Sequence, residues 1–489
     1  MILLYILCGL YFLGMSFILL YSLAQGHLLF HFFKARKEIA KVSPRIPEEW
    51  PKVTVQLPVF NELYVVERLI DSVAKLNYPQ QKLEIQILDD STDQTCELIQ
   101  EKILEYPEIQ FKYLHRVNRA GFKAGALREG LAKAEGEFIA IFDADFVPDP
   151  DFLLKTIPFF ASEEVGMVQT RWTHINRRFS LLTRLQAFAL DAHFFIEQMG
   201  RNQQGAFINF NGTGGIWRKA CILDAGNWHD DTLTEDLDLS YRAQRKGWKF
   251  VYRPEIESPA ELPPVMSAIK SQQFRWTKGG AECAAKHAGA VFQETHPARI
   301  KFHSFAHLFN STIFIAVLLT SLSSIGVWMA ADQGLIPDIW VRISGIFLIG
   351  FVIIAGVYLI SFFVGKDTWA GSTLGVIWQL PLFLSVSMGL ALHNSQAVWE
   401  GLTGKKSPFI RTPKFNLESG KSKLATNKYL LHRMPVTTWL EGVLALVFGG
   451  MVWLAIKNEN FLFLPFHSLL AIGYGLVFIT SFKSYGLGR

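Results

Sequence analysis

Long apolar segments lie at both ends of the chain, and a block of mixed polarity lies between them. Residues 1–33 contain no Lys, Arg, Asp or Glu, and a helix needs roughly 20 apolar residues to cross a bilayer. A cleaved signal peptide would have a basic start, a shorter apolar core and a small-residue cleavage site. Since the first basic residue is Lys34, the pattern predicts a retained membrane anchor over residues 1–33.

The middle block alternates short apolar runs with amphipathic stretches. Four runs have the composition of strands: VTVQLPV at 53–59, EIQILDD at 84–90, FKYLHR at 111–116 and EFIAIFDAD at 137–145. The intervening stretches ELYVVERLIDSVAKL and GFKAGALREGLAKA have helical spacing. The order β-α-β-α-β predicts an α/β fold with a mostly parallel sheet. In such a sheet, ligands bind at the carboxyl ends of the strands.

The last part of the chain returns to apolar segments, at about 308–331, 339–364, 372–394, 436–456 and 461–482. A basic loop separates the third segment from the fourth. Residues 405–433 contain eight Lys and Arg residues and one acid, Glu418. Basic residues also follow the anchor, so the positive-inside rule predicts that the loop and the middle block both face the cytosol.

An even number of crossings must separate two blocks on the same side of a membrane, although three apolar segments lie between these two. We predict that the segment 372–394, which contains Pro381 and several polar side chains, lies at the interface or re-enters. The predicted domains are an anchor at 1–33, a cytosolic domain at 34–302, and a membrane or interfacial region at 303–489 with a basic loop at 396–434.

Composition supports this layout. Half of the residues are hydrophobic and only 19% are charged, which is too apolar for a typical soluble protein. The basic residues behind the net charge of +5 cluster beside the apolar segments, so no nucleic-acid-binding stripe is expected. The four cysteines form no CxxC pair, which excludes a zinc site or a disulfide framework of the usual spacing.

Acidic residues end two of the predicted strands. Asp143 and Asp145 follow FIAIF, and an extended chain would point both side chains the same way. Asp89 and Asp90 end the second strand. Such carboxylates could hold a divalent metal that neutralises the diphosphate leaving group of a nucleotide-sugar, or could accept hydrogen bonds from a base or ribose. Ordinary turn and helix-cap roles remain open for both pairs.

Three further motifs have both a chemical and a structural interpretation. The segment 121–125 begins a helix, where Lys123 would meet phosphate oxygens or be a solvated surface residue. Thr234 to Asp236 is either an acidic first helical turn or the source of a general base. Gln272 to Trp276 offers a cation and a flat aromatic face for a pyrophosphate and a sugar ring, or belongs to an amphipathic helix at the membrane surface.

In this order the motifs resemble those of the processive, inverting family-2 glycosyltransferases, which include bacterial cellulose synthase, hyaluronan synthase and chitin synthase. Their Asp, Asp-x-Asp, Thr-Glu-Asp and Gln-x-x-Arg-Trp pattern is matched by Asp90, Asp143 with Asp145, Thr234 to Asp236, and Gln272 to Trp276. The segments ILDDSTDQT, FKAGALREG, AIFDADF, FNGTGGIWR and KGWKF look similar to plant cellulose-synthase-like mannan and xyloglucan-backbone synthases. The resemblance covers about residues 50–290 and implies a nucleotide-sugar-binding domain of the GT-A type.

The resemblance also implies roles for individual residues. Asp236, with Glu235 beside it, would be the catalytic base. The donor would be bound by Glu62, Asp89, Asp90, Lys123, Asp143, Gln272 and Arg275. Asp143 and Asp145 would hold Mg²⁺ or Mn²⁺. The acceptor would be bound by Phe210, Asn211, Gly212, Thr213 and Trp276. Phe409 to Lys414 is similar to the family's gating loop.

The sequence therefore predicts a membrane-bound inverting hexosyltransferase that polymerises a β-linked glucan or mannan from UDP-glucose or GDP-mannose and translocates it. We expect a glycan or lipid acceptor, accessory export subunits as candidate partners, and a bacterial inner membrane as its location. Transfer of one sugar to a lipid, as by ceramide glucosyltransferase, is the first alternative. A transporter or channel component that only binds nucleotide-sugars is the second.

Overall fold

The computed structural model of the chain describes residues 2–39, 44–337, 339–340, 345–365, 373–407, 410–417, 427–430 and 433–486. Within these ranges, an α/β domain lies between long apolar helices. Phe409, the first residue of the predicted gating-like loop, lies outside the described residues.

One sheet organises the domain. Its strands are β1 (Val53–Val59), β2 (Leu83–Asp89), β3 (Phe111–His115), β4 (Phe138–Ile141), β5 (Val165–His174), β6 (Gly215–Arg218) and β7 (Lys249–Ala260). Their order in the sheet is β3-β2-β1-β4-β6-β5-β7. β6 is antiparallel to both of its neighbours, and all other adjacent pairs are parallel. The prediction of a mostly parallel sheet is confirmed.

Helices on both faces explain why the strands are so apolar in sequence. All seven residues of β2 are buried, as expected for a strand covered on both sides. One face of the sheet packs on α2 (Val66–Ala74), α3 (Thr95–Ile103) and α5 (Phe152–Thr156). The other face packs on α4 (Phe122–Lys133), α8 (Lys219–Asp224) and α9 (Glu235–Arg245).

Four helices connect this domain to the apolar helices. They are α6 (Leu181–Asp191), α7 (Met199–Gln203), α10 (Met266–Gln293) and α11 (Ala298–Leu308). Between α6 and α7, residues Ala192–Gln198 form a π-helix. Because π-helical turns are rare and occur frequently at functional sites, this segment is a candidate for a role beyond packing.

The apolar helices are α1 (Ile2–Ile39), α12 (Ile313–Asp332), α13 (Leu348–Val364), α14 (Thr373–Gly389), α15 (Ala391–Leu402), α16 (Val436–Lys457) and α17 (Leu464–Gly486). In the described part of the chain, five helices are long and apolar enough to cross a membrane: Ile2–Ile39, Asn310–Asp332, Gly345–Val364, Val436–Lys457 and Leu464–Gly486. The chain is thus a membrane protein. The anchor α1 packs along α12 and α13, so it is part of the helical bundle.

Helix α14 falls in the segment for which we predict an interfacial or re-entrant path. It has 17 residues with Pro381 inside the helix, and it is not one of the five candidate spans found among the described residues. The path of this segment relative to the membrane stays a prediction, as do the cytosolic orientation and the domain limits.

Candidate active site

A cavity of about 180 Å³ lies at the carboxyl edge of the sheet. Most of the side chains predicted from the sequence line it: Glu62, Asp90, Lys123, Asp143, Asp145, Asn211, Gly212, Glu235, Asp236, Gln272, Arg275 and Trp276. The rule that ligands bind at the carboxyl ends of parallel strands therefore identifies the right edge. Three of the predicted residues do not line the cavity: Asp89, Phe210 and Thr213.

Lys123 is a cation held by hydrogen bonds in the wall of the cavity. Its ammonium group donates to Asp143 Oδ1 at 2.5 Å and to the Gly212 carbonyl at 2.8 Å, and it lies 3.9 Å from Glu235 Oε1. Burial alone would lower the pKa of Lys123, but the charges of Asp143 and Glu235 outweigh it and raise the pKa. Lys123 therefore stays charged among the acids, and the reading of it as a solvated surface lysine is wrong.

Asp143 and Asp145 lie in a turn and not in an extended strand. β4 ends at Ile141, and the N–H of Phe146 donates to the Asp143 carbonyl at 3.0 Å. The alternation assumed for an extended chain does not apply, yet both carboxylates reach the cavity. One oxygen of Asp145, Oδ1, is buried and has no hydrogen-bond partner among the described residues.

Glu235 and Asp236 are the first two residues of α9. The motif therefore begins the helix, where the helix dipole favours acidic side chains. Burial, and then the charge of Glu235, raise the pKa of Asp236. Burial also raises the pKa of Glu235, against the charge of Lys123. A carboxyl group whose pKa is shifted toward neutrality is suited to proton transfer near pH 7.

Helix α10 contributes the basic and aromatic wall of the cavity. Gln272, Arg275 and Trp276 are spaced by three and four residues, so they share one face of the helix and all line the cavity. Arg275 Nη2 donates to Thr412 Oγ1 at 2.8 Å. The arginine is thus held by the loop that follows α15.

That loop covers the cavity and is joined to it by two ion pairs. Arg411 lies 2.6 Å from Glu62 Oε2, and Lys414 lies 2.7 Å from Asp145 Oδ2. Burial raises the pKa of Glu62 to about 7, although the Arg411 charge opposes this shift. The described part of the predicted gating-like loop is therefore in direct contact with the catalytic cavity.

Three predicted residues are buried behind the cavity and do not line it. Asp89 is fully buried, accepting from the Ser91 N–H and the Tyr113 hydroxyl. Phe210 is fully buried against Trp217. The Thr213 hydroxyl accepts from the Asp143 N–H at 2.9 Å. In this structure each of these side chains holds the framework of the site, and direct binding of donor or acceptor by them stays a prediction.

Asp90 lines the cavity, but its carboxylate is already engaged. Arg116 donates to both of its oxygens, at 2.6 Å each. Such a bidentate pair fixes the position of the carboxylate. Asp90 thus presents a strongly oriented acid at the end of the second strand.

Several residues of the cavity wall belong to none of the motifs found in the sequence. Trp172 and His174 end β5, and Glu261 directly follows β7; all three line the cavity. Glu261 accepts from the Phe415 N–H at 3.0 Å and so anchors the loop. The same strand-end rule that identifies Asp143 would identify these residues, once β5 and β7 are recognised as strands.

A second cavity of about 520 Å³ adjoins the first and extends between the apolar helices. Leu190, Gln272 and Trp276 line both cavities and form the threshold between them. Side chains of α1, α6, the π-helix, α10, α12, α13 and α14 line most of the remainder. The catalytic cavity therefore continues into the membrane bundle.

Comparison with known proteins places this geometry in a family. The model described as "Glycosyltransferase like family 2" matches residues 51–279. Probable glucomannan 4-beta-mannosyltransferase 11 of Oryza sativa subsp. japonica is 37% identical over 388 residues, which cover 77% of this chain and 65% of that protein. Glucomannan 4-beta-mannosyltransferase 2 of Arabidopsis thaliana is 33% identical over 453 residues, which cover 88% of this chain and 82% of that protein.

A solved structure is similar in fold. Mannosyltransferase PcManGT from Pyrobaculum calidifontis, in complex with GDP-Man and Mn²⁺, superposes with a TM-score of 0.54 and 18% identity, covering 80% of this chain and all of that chain. Together with the sequence relatives, this likeness confirms the GT-A type fold. The chain belongs to the family-2 glycosyltransferases, and within them to the group that contains the cellulose-synthase-like glucomannan mannosyltransferases.

The chain spans only part of several relatives. Four rice relatives are matched over 42% to 65% of their own length, so the chain spans less than two thirds of them. The sequence relatives named here are plant proteins. They give no support to the expected bacterial inner membrane.

Proposed function

We propose that the protein is an inverting glycosyltransferase that extends a β-1,4-linked mannan or glucomannan from a nucleoside-diphosphate sugar. One observation carries the proposal: the cavity that holds Asp236, Lys123, Arg275 and the Asp143–Asp145 pair adjoins a membrane cavity across Trp276. The plant relatives are named as mannosyltransferases, which supports mannose as the transferred sugar and makes GDP-mannose the donor to test before UDP-glucose.

The base of the reaction would be Asp236. The acceptor hydroxyl loses its proton as it attacks the anomeric carbon, and the buried carboxylate of Asp236 takes that proton. Attack on the face opposite the leaving diphosphate converts an α-linked donor into a β-linked product. Glu235, beside it, raises the basicity of Asp236 through its charge.

The leaving diphosphate needs positive charge around it as its bond breaks. Lys123 and Arg275 both line the cavity and supply two cations. The carboxylates of Asp143 and Asp145 are the hard oxygen ligands that Mg²⁺ and Mn²⁺ prefer. The buried Oδ1 of Asp145, which has no hydrogen-bond partner in the described part of the chain, fits such an ion, which would neutralise phosphate charge as a Lewis acid.

Lys414 would have to leave Asp145 for both oxygens of this carboxylate to hold the ion, because the ammonium group lies on Oδ2 at 2.7 Å. The loop carrying Arg411 and Lys414 would therefore shift when donor and metal bind. Arg275 would then exchange its hydrogen bond with Thr412 for phosphate oxygens.

Translocation of the growing polymer is part of the proposal. The membrane-side cavity of about 520 Å³ has apolar walls with scattered polar side chains such as Ser22, Gln186 and Asn394. A glycan presents apolar sugar faces and hydroxyl edges, so such walls suit its passage. If the catalytic domain faces the cytosol, as predicted, the polymer would leave on the opposite side of the membrane.

The test is a donor and product screen with the purified full-length protein. Membranes or detergent micelles are incubated with radiolabelled GDP-mannose, GDP-glucose or UDP-glucose and Mn²⁺ or Mg²⁺. We expect an insoluble polymer that an endo-β-1,4-mannanase degrades. Label in the organic phase would instead favour transfer to a lipid, and absence of transfer from every donor would contradict the enzyme assignment.

The variant Asp236→Asn tests the assignment of the catalytic base. It keeps the size of the side chain but cannot accept a proton, so we expect transfer to fall below about 1% of the wild-type rate, since a general base contributes roughly 10²–10⁴-fold. Donor binding, measured by isothermal titration, should remain. Retained turnover would overturn the base assignment.

A further inference from the structure

A chain of hydrogen bonds runs from the anchor helix to the catalytic cavity. Gln25 of α1 donates to Glu197 Oε1 at 2.8 Å. Glu197 Oε2 accepts from Arg201 at 2.8 Å and from His193 Nδ1 at 2.9 Å. His193 Nε2 lies 3.1 Å from Asn211 Oδ1. We call Gln25, Glu197, His193 and Asn211 the anchor relay.

The local structure holds the middle of this relay rigidly. His193 and Glu197 both belong to the π-helix Ala192–Gln198. Arg201, which pairs with Glu197, is buried. Burial would raise the pKa of Glu197, but the Arg201 charge and the His193 hydrogen bond outweigh it and hold the pKa below its usual range. Because oxygens engage both ring nitrogens of His193, the imidazole has one orientation.

The anchor relay crosses the threshold between the two cavities. Gln25, His193 and Glu197 line the membrane-side cavity, whereas Asn211 lines the catalytic cavity. Trp276 lines both. The His193–Asn211 contact therefore joins the wall of one cavity to the wall of the other.

Asn211 has a donor group to offer there. Its Oδ1 accepts from Asn209 Nδ2 at 2.8 Å and faces His193, which fixes the amide plane. Its Nδ2 is buried and has no hydrogen-bond partner among the described residues. Buried donors are nearly always paired in native proteins, so an oriented unpaired amide in a cavity wall indicates a ligand oxygen.

We propose that the anchor relay positions the acceptor glycan. Asn211 donates from Nδ2 to a hydroxyl of the terminal sugar, and His193, Glu197 and Gln25 are positioning residues that hold the Asn211 amide. This inference rests on the proposed function, and it names the neutral end of a β-linked glycan as the ligand. The anchor helix α1 thereby takes part in acceptor binding as well as in membrane attachment.

A purely mechanical role for the same contacts makes a different prediction. α1 has another hydrogen bond to this region, from His31 to Gln203 Oε1 at 2.6 Å, and neither residue lines either cavity. If the anchor relay only tethers α1, breaking the His31–Gln203 contact should have the same effect. Gln203→Ala is therefore the matched control for Gln25→Ala.

The experiment measures acceptor and donor parameters separately in the purified full-length protein. β-1,4-Linked mannohexaose and cellohexaose are the acceptors, with GDP-mannose or UDP-glucose as donor. His193→Ala and Gln25→Ala should raise the acceptor KM by about 3- to 10-fold, the range expected for one lost hydrogen bond. The donor KM should change by less than about twofold on the same reasoning. His193→Gln, whose amide can still reach Asn211, should recover part of the loss.

Each outcome bears on the proposal. An unchanged acceptor KM in His193→Ala and Gln25→Ala would overturn it, and so would an equal rise in Gln203→Ala, which would show simple tethering. Gln25→Ala keeps the test decisive if His193→Ala fails to fold, as checked by thermal unfolding. Failure of the wild-type protein to extend either hexasaccharide, while it glycosylates a lipid, would instead overturn the proposed function.

Discussion

Gly212 shows how a missing side chain shapes the catalytic cavity. Its φ is +79°, a conformation that residues with a Cβ atom rarely adopt. A Cβ at this position would lie 3.1 Å from Asp236 Oδ2 and 3.6 Å from Lys123 Nζ. The residue thus lets the base and the cation approach the same point of the backbone.

Gly212→Ala should lower kcat by on the order of 100-fold, because a misplacement of about 1 Å at a catalytic group can cost that much. The rate of sugar transfer measures the effect. Gly205→Ala is the control, since Gly205 has a similar φ of +70° with nothing within 4 Å of an added Cβ. A comparable loss in Gly205→Ala would attribute the effect to backbone strain alone.

The pH dependence of transfer should reflect Asp236. The base acts as a carboxylate, so activity is lost as pH falls through its pKa. Because burial and Glu235 raise that pKa, the loss should begin well above the ordinary aspartate value of about 3.9. Glu235→Gln removes the neighbouring charge and should move the acid limb of the kcat profile to lower pH. An acid limb that does not move would contradict this coupling.

Asp89 and Asp145 show what residue patterns can and cannot predict. Both follow strands, and the strand-end rule places both near the ligand edge. Whether a carboxylate faces the cavity depends on its partners, and Asp89 is turned inward by Tyr113 and the Ser91 N–H. The Tyr113 contact comes from the neighbouring strand β3, so the sequence pattern identifies the edge but not the side chains that reach it.

At the scale of elements, α10 and the basic loop build the site together. The four predicted strands of the parallel half end no more than four residues from their observed ends, and the first ends at the same residue, because buried strands have continuous apolar runs. The pairing of Lys414 with Asp145 and of Arg411 with Glu62 could not be predicted, since these partners lie more than 250 residues apart in the sequence. No local sequence pattern determines which acidic side chain pairs with a given basic residue of the loop.

Lys414→Met should increase the affinity of the donor-free protein for Mn²⁺. The lysine ammonium lies on Asp145 Oδ2 and competes with a metal ion for that oxygen. Loss of an ion pair of about 1 kcal/mol corresponds to about a fivefold lower Kd, measurable by Mn²⁺ electron paramagnetic resonance. Lys428→Met is the matched control. Lys428 belongs to the same loop, but it pairs with Asp93 and not with Asp145. Equal effects in both variants would argue against competition at Asp145.

Across the whole molecule, α10 connects the catalytic motifs to the membrane bundle. On one side it packs on the Thr234 motif at Gly279, where an added Cβ would lie 2.5 Å from Thr234 Cγ2. On the other side, Lys270 donates to Glu441 Oε2 at 2.5 Å and to Thr438 Oγ1 at 3.0 Å. Both charged side chains are buried, so α16 and α10 are joined by an ion pair that water does not screen.

Breaking this pair at one partner should destabilise the protein strongly. Glu441→Leu leaves the Lys270 charge buried without its counter-ion, which typically costs about 3–5 kcal/mol. The double variant Lys270→Met with Glu441→Leu removes both charges and should recover most of that loss, because paired apolar replacement of a buried ion pair is often neutral. Thermal unfolding in detergent measures both effects.

Lys249 and Glu164 provide the control, because their ion pair is exposed on both sides. Replacing Glu164 with Gln should change stability by less than about 1 kcal/mol. If Glu441→Leu were equally mild, the buried pair would not hold α10 against the bundle. If instead the single variant loses transfer activity in proportion to its stability and the double variant regains it, the position of Arg275 and Trp276 depends on the attachment of α10 to the membrane helices.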